Sequence, residues 1–468
     1  MTIVSPQDAV ERALKAATCD DCVVIAEESS SANLRWARNS LTTNGVSASR
    51  RLTVIAIIRD GERARAGAVS RAGVSREQIP DLVAEAEKSA AEGSPAEDTQ
   101  PLVAPAGGGV GRPGPAWDDP PGRTEIGVLR GFAGALGDTL AVAASGGRRL
   151  YGFAEHSLTS LFLGSSSGLR LRHDQPSGKV ELNAKTADLT RSAWAGAGTR
   201  DFSDVDVAGM EAGLARQLGW AARRVDLPAG RYETLLPPTA VADLFIDLYW
   251  SLGAKDAVDG RTVFSQPGGG TRVGERLASL PVTLRSDPGA PGLQCPPFVI
   301  AHASTRHSSV FDNGLPLGPT DWIRRGELAA LTQTRYSAAL SGLAATPAID
   351  NLILEAPGAV ASLDDMIART GRGLLLTSLW YIREVDPQTL LLTGLTRDGV
   401  YLVENGEVTA AVNNFRFNES PVAMLGRIAE AGRTGPALPR EWSDYFTRSA
   451  MPPLRVDGFN MSSVSQAE

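Results

Sequence analysis

Histidine is scarce in this chain, with four among 468 residues, and cysteine is scarcer, with three. The histidines, His156, His173, His302 and His307, form no H-E-x-x-H and no H-x-H, the close spacings by which one helix or strand presents imidazoles to a metal. Three thiols cannot build a disulfide framework, so a reducing, cytoplasmic setting is the expectation. Long apolar runs are missing too. No stretch approaches the roughly 18 uninterrupted apolar residues of a membrane span, and residues 1–15 read as an amphipathic helix rather than a signal peptide, so no membrane is expected. Runs of Lys and Arg are absent, and the net charge is −7. That balance gives no general attraction for phosphate backbones or anionic lipid, and the scattered aromatics do not interleave with a basic stripe, so no direct nucleic-acid binding is expected.

What is present is ordinary globular material, 43% hydrophobic and 21% charged, in a length that allows two to four domains. Ser5-Pro6-Gln7-Asp8 reads as a helix start, with Ser5 as cap and Pro6 in the first turn. Cys22 to Ala26, Leu34 to Ser40 and Val46 to Ile58 read as strands, the last two joined by a hairpin at Asn44-Gly45. Asp60-Gly61 marks another turn, and Ser75-Arg76-Glu77-Gln78 has capping-box spacing before a helix to about Glu92. The stretch from Gln100 to Gly122, with Gly107-Gly108-Gly109 and Pro113-Gly114-Pro115, has no hydrophobic period and reads as a linker or mobile surface loop. A second helix-and-hairpin block follows: a helix from Thr124 to about Ala144, strands at Ser157 to Leu163, Leu169 to His173 and Val180 to Thr186, and a helix from Val207 to Arg224. Its order loosely repeats the first block.

The remainder changes character. Tyr232 to Leu236 is a strand, and Val241, Leu244, Phe245, Leu248 and Leu252 fall at helical spacing after it. Beyond Phe264 the chain is mostly strands and turns. Trp322 to Leu328 and Tyr401 to Val408 each read as strand, glycine turn, returning strand, and the second carries Asn405-Gly406, which supplies the two positive φ angles of a type I′ turn. The expected fold class is therefore α+β. Residues 1–99 and 123–227 form two helix–hairpin blocks of an N-terminal domain, 100–122 connects them, and 228–468 form a mainly antiparallel β domain with a few helices.

Catalytic motifs fare poorly. Gly164-Ser165-Ser166-Ser167-Gly168 matches G-x-S-x-G, but a nucleophile elbow needs a helix behind it, and Leu169-Arg170-Leu171-Arg172 alternates like a strand. Cys19-Asp20-Asp21-Cys22 lies between helix and strand, the reverse of the thioredoxin order, and has no second pair to complete a zinc site. His302 and His307, five apart, share no face of a helix or a strand. Gly268-Gly269-Gly270 lacks the phosphate-loop Lys, and the neighbouring acids Asp364-Asp365 and Asp118-Asp119 point apart.

Several blocks in the second half carry a resemblance. They are Tyr232 to Pro238; His307 to Pro316, with Phe311-Asp312-Asn313-Gly314 at its centre; Ile323 to Leu328; Asp364 to Thr377, leading into Leu379-Trp380; and Val403 to Val408, with Glu404-Asn405-Gly406, followed by Asn413 to Phe417. In order and spacing they resemble the TldD/PmbA family of metallopeptidase subunits, also called gyrase modulators, and the likeness extends more weakly over the rest of the chain. The resemblance implies two kinds of subunit. One has an H-E-x-x-x-H helix and a C-terminal cysteine holding zinc, and the other, the TldE or PmbA kind, lacks them and pairs with the first. Here the corresponding helix reads Ile246-Asp247-Leu248-Tyr249-Trp250-Ser251. No histidine lies between His173 and His302 and no cysteine beyond Cys295, so no shift of register restores a ligand.

Accordingly the chain is expected to have no catalytic residue, metal ligand or cofactor of its own. Zinc is expected in a TldD-like partner, and the heterodimer is expected to degrade or process unfolded peptides and small proteins. Asp247 falls where the sister subunit would have its general base. The alternative is a stand-alone peptide-binding or regulatory protein of the gyrase-modulator type, and a third option is a diverged enzyme using His302, His307 or Cys295.

Overall fold

The structure, a computed structural model, describes residues 4–105, 117–397 and 399–466. The chain begins with α1 (Pro6–Ala16), whose Ser5 side chain accepts from the Asp8 amide and whose Pro6, Ala9, Val10 and Ala13 form one buried stripe. Three strands follow, β1 (Asp21–Ala37), β2 (Ser40–Asp60) and β3 (Arg63–Ala72), and then α2 (Ile79–Glu92) behind the Ser75/Gln78 capping box. The second block repeats this order as α3 (Arg130–Ser145), β4 (Arg148–Ser165), β5 (Arg170–Thr186), β6 (Ser192–Thr199) and α4 (Val207–Trp220). All six strands form one sheet in the order β3-β2-β1-β4-β5-β6, with β1 and β4 antiparallel at its centre, so each block contributes one half.

Burial explains the lengths of these strands. Along β1, Val24 and Ala26 pack under α1 and α2, while Ala32, Leu34 and Trp36 pack under α3 and α4. The chain therefore stays extended through Trp36 and turns at Arg38-Asn39, whose φ angles of 51° and 62° make the type I′ geometry. The hairpin expected at Asn44-Gly45 does not form. Those residues sit inside β2 opposite Leu34 and Asn33. Asn39 fixes the true turn by accepting from the Leu150 amide at 2.6 Å and donating to the Arg148 carbonyl at 2.8 Å. The same two-block burial merges Cys22–Ala26 with Leu34–Ala37 into one strand, and Arg170–His173 with Val180–Thr186 into another. The rest of the expected Leu34–Ser40 strand is the turn and the start of β2. The α4 helix ends at Trp220, short of Arg224, which begins a strand.

The stretch Ile126–Ser145 is long and apolar enough to cross a membrane by length and composition alone. In this fold one of its faces, Phe132, Leu136, Leu140 and Ala143, is buried against the sheet. Of the expected connection 100–122, residues 106–116 lie outside the described residues. The flanks dock: Leu102 and Trp117 are buried, Trp117 edge-on to Phe162 at 5.5 Å.

The rest of the chain builds two more sheets around α5 (Pro238–Trp250). In chain order the strands are β7 (Arg224–Val225), β8 (Gly230–Leu236), β9 (Thr283–Ser286), β10 (Thr320–Arg324), β11 (Glu327–Leu328), β12 (Leu352–Glu355), β13 (Arg372–Leu376) and β14 (Trp380–Asp386). Then come β15 (Leu391–Leu395), β16 (Val400–Glu404), β17 (Glu407–Val412), β18 (Phe415–Glu419), β19 (Ile428–Ala431), β20 (Gly435–Ala437), β21 (Ser449–Met451) and β22 (Leu454–Val464). One sheet runs β11-β10-β9-β12-β21-β20. The other, of ten strands, runs from β14 at one edge to β7 at the other, with β19 added on β22. Most neighbouring pairs are antiparallel, and β8 with β13, β12 with β21 and β7 with β17 are parallel exceptions. The α5 helix is the centre of the largest core: Val241, Leu244, Phe245, Ile246 and Leu248 are fully buried among side chains from both sheets.

Candidate functional site

An apolar helix buried on nearly all sides has little room for charge, and α5 carries two, Asp243 and Asp247. Four residues apart, they lie on one helix face, and Trp250 continues that stripe by another turn. The segment Arg440 to Phe446 lies across this face. The Asp243 side chain accepts from the Glu441 amide at 2.9 Å, and the Trp442 indole N–H donates to Asp247 at 3.2 Å and to the Asp243 carbonyl at 3.0 Å. Trp250 packs edge-on against Trp442 with ring centres 5.1 Å apart. The opposite wall is β14: Tyr381 donates its amide to the Glu441 carboxylate at 2.9 Å, and Arg383 pairs with the same carboxylate at 3.1 Å. Tyr381 holds a φ of 52°, left-handed backbone uncommon for a bulky residue.

Burial governs the electrostatics. Asp243 is fully enclosed, and loss of water pushes its carboxyl well above the usual range despite the Glu441 amide. Its Oδ2 has no hydrogen-bond partner among the described residues. Burial also raises Asp247, to about 7. The Trp442 indole opposes that shift, and the charges of Glu384 and Glu441 add to it. Glu384 is raised as well, by burial and then by Asp386. Near neutral pH Asp247 thus keeps in part a proton that an ordinary carboxyl would have lost.

A third wall comes from the N-terminal sheet. Arg440 lies between the rings of Trp380 and Trp194, 4.9 and 5.4 Å from their centres, and donates to Ser378 at 2.8 Å. Glu181 accepts from the Trp194 indole at 3.1 Å and from Ser443 at 3.0 Å, and Lys179 pairs with Asp444.

The residues singled out from sequence do not come together. Ile246 is core, Ser251 ends the helix with its hydroxyl on the Asp247 carbonyl at 2.9 Å, and of that segment Asp247 and Trp250 face the site. Phe311, Asp312, Asn313 and Gly314 lie elsewhere, in a clasp against the N-terminal sheet. Phe311 packs with Ile25, Ile55 and Leu163 of the N-terminal sheet, buried Asp312 pairs with Arg335 at 2.6 Å, and Asn313 bridges the Ala301 amide and carbonyl. A cavity of about 300 Å³ opens beside Asp312 and His307. Glu404, Asn405 and Gly406 form the β16–β17 turn, with φ of 52° and 84° at Asn405 and Gly406 and their amides donating to Gly371 and Thr370 at 2.7 and 2.9 Å. Both motifs are architectural in what they touch.

The histidines also part. His302 lies 3.6 Å from Glu27, and His307 lies 3.6 Å from Asp256. The G-x-S-x-G run is the β4–β5 turn. Asp243, Glu384 and Glu441 were missed. The paired aspartates in an apolar helix were the one available signal, because Glu441 is brought in from nearly two hundred residues away.

Zinc does not fit this face. Its donors are two carboxyls with raised proton affinity and an indole, with no imidazole or thiolate, and among the described residues no three His, Cys, Asp or Glu side chains converge to hold a metal ion.

The architecture is that of an α+β protein in which the helix central to the second half of the chain lies under a crossing loop. Residues 229–463 match the family model described as PmbA/TldA metallopeptidase C-terminal domain. The chain belongs to the TldD/PmbA family. Its fold is similar to that of TldE from Thermococcus kodakarensis (TM-score 0.76, 18% identity, covering 96% of this chain and 98% of that one). It is also similar to a protein named as a candidate modulator of DNA gyrase from Bacteroides thetaiotaomicron (TM-score 0.75, 15% identity, 98% of each chain). Another so named, from Thermotoga maritima, gives a TM-score of 0.73 at 15% identity, over 94% of this chain and 95% of that one. No curated protein sequence matches the chain.

Proposed function

We propose that this chain is the non-catalytic subunit of a TldD/TldE-type heterodimeric metallopeptidase of the cytoplasm, which degrades or processes unfolded peptides and small proteins. One observation carries the reading. The helix face on which the family's peptidase subunit needs zinc ligands here holds Asp243 and Asp247, under Glu441 and Trp442. A carboxyl that retains its proton at neutral pH is a poor metal ligand, and without metal-activated water it has no nucleophile to deliver. The hydrolytic zinc then belongs to the TldD-like partner.

The edge strand β14 beside the site supports a role in holding peptide. An extended chain can pair with a sheet edge through main-chain hydrogen bonds alone, which suits substrates of varied sequence.

Native mass measurement and a peptidase assay test this. The purified chain is expected to leave an unfolded peptide intact. A one-to-one complex with the zinc-bearing family member is expected to cleave it, and a chelator to stop the cleavage. Chelator-sensitive hydrolysis by this chain alone would overturn the reading. So would a homodimer that binds its target and never associates with the peptidase subunit.

A further inference from the structure

The described surface exposes three large aromatic side chains, Trp250, Tyr381 and Tyr445, and all three belong to the segments that form the α5 site. Beside them are the exposed Glu384, the largely buried Asp247 under the Trp442 indole, and Glu441, whose carboxylate is nearly covered. Arg383 pairs with Glu441, while Asp247 and Glu384 have no ion pair among the described residues. Asp243, fully buried one turn before Asp247 on the same helix face, keeps one carboxyl oxygen without a hydrogen-bond partner. At pH 8, above the Asp247 pKa of about 7, the carboxylates of Asp247 and Glu384 stand beside this aromatic surface without an ion pair among the described residues.

We propose that this acidic and aromatic surface is a subsite for a basic side chain, lysine or arginine, of an extended peptide. The inference rests on the peptide-handling reading above and adds a substrate class to it. A compact divalent ion is a poor occupant, because the carboxylates do not converge as a coordination shell requires. An ammonium or guanidinium group has several donors spread over a few ångströms and reaches separated carboxylates. Its charge also favours the faces of Trp and Tyr rings. The outer edge of β14 gives the peptide backbone a place to run, and Tyr381, Arg383 and Glu384 lie along that strand. The burial that raises Asp247 agrees with this. A cation brought beside a half-desolvated carboxyl favours its ionised form, so binding and ionisation reinforce each other.

Fluorescence anisotropy at pH 8 tests the proposal with the full chain and two labelled, unstructured nine-residue peptides of Gly, Ser, Thr and Val. They differ only in a central lysine or norleucine, so the chain length is matched and the charge is not. The lysine peptide is expected to bind about tenfold more tightly, the scale of one charge-assisted contact. The double variant Asp247→Asn, Glu384→Gln is expected to bring the two peptides within about twofold of each other, its folding checked by tryptophan fluorescence. Equal binding of both peptides to the unaltered chain would overturn the basic-residue subsite and leave peptide handling standing. Binding of neither would overturn both. An undiminished lysine preference in the folded double variant would place the preference elsewhere and overturn this assignment.

Discussion

Asp247 offers a quantitative handle on the buried carboxyl pair. Its folded-state pKa of about 7 stands about three units above the ordinary value of 3.8, and each unit is worth about 1.4 kcal/mol. Below pH 4 the group is protonated in both the folded and unfolded chain and has no effect on stability. Between pH 4 and 7 the unfolded chain ionises while the folded one does not, so stability falls by about 1.4 kcal/mol per pH unit. Above pH 7 both forms are ionised, and the accumulated loss levels off at about 4 kcal/mol as an upper bound. Asp247→Asn removes the ionisation while its amide oxygen still accepts from the Trp442 indole. The variant should therefore be more stable than its parent by about 1–2 kcal/mol at pH 5 and by up to about 4 kcal/mol at pH 8. Urea unfolding followed by tryptophan fluorescence suits the measurement, because Trp250 and Trp442 flank the group. An equal gain at both pH values, or a larger one at pH 5, would refute the claim that burial holds this carboxyl neutral.

Three further outcomes follow from packing. Gly406→Ala places a Cβ 2.7 Å from the Ala368 carbonyl oxygen at a φ of 84°, whereas Gly260→Ala at a φ of 76° meets nothing within 4 Å. Urea midpoints should show the first costing at least about 1 kcal/mol more than the second, which feels only the backbone strain of about 1 kcal/mol. Arg335→Leu strands the buried Asp312 carboxylate and should cost about 3 kcal/mol in the same assay, with part of that recovered when Asp312→Leu is added. Of the three thiols, Cys19 is half-buried and lowered by the hydrogen bond with Cys22. Cys22 is raised by that bond and by burial, and burial raises Cys295 to about 11. A thiol reagent at pH 8 should modify Cys19 rapidly in the native chain and the other two only on unfolding.

Local signals were readable wherever the structure leaves a segment to its own chemistry. The Ser5 cap, the Ser75/Gln78 box and the Asn405-Gly406 turn form as their side chains dictate. Asn44-Gly45 is at least as strong a turn signal, and it is overruled because the chain has already reversed at Arg38-Asn39, which seats Asn44 and Gly45 opposite Leu34 and Asn33 within the sheet. Nothing in Arg38-Asn39 advertises a hairpin. Its turn is set by the β1–β4 register and by Asn39 reaching across to Arg148 and Leu150. The candidate site was legible to the same degree. The absence of imidazole from α5 is written in the residues, but the partners of Asp243 and Asp247 come from Arg440–Trp442 and from β14, and no periodicity connects them.

Where the N-terminal sheet meets the C-terminal domain bears on function, because the site has walls from both. The α1–α2 half of the sheet is fastened by the Phe311 clasp, through Ile25, Ile55 and Leu163. The other half meets the crossing loop, with Trp194 over Arg440 and Glu181 on Ser443. The loop therefore has three attachments: α5 beneath, β14 at its side and β5–β6 at its far end. Here Trp442 and Glu441 close over the helix face, and the carboxyls beneath accept their N–H groups. That closure makes Asp243 part of the packing, while Trp250, Tyr381, Tyr445 and Glu384 stay exposed around it.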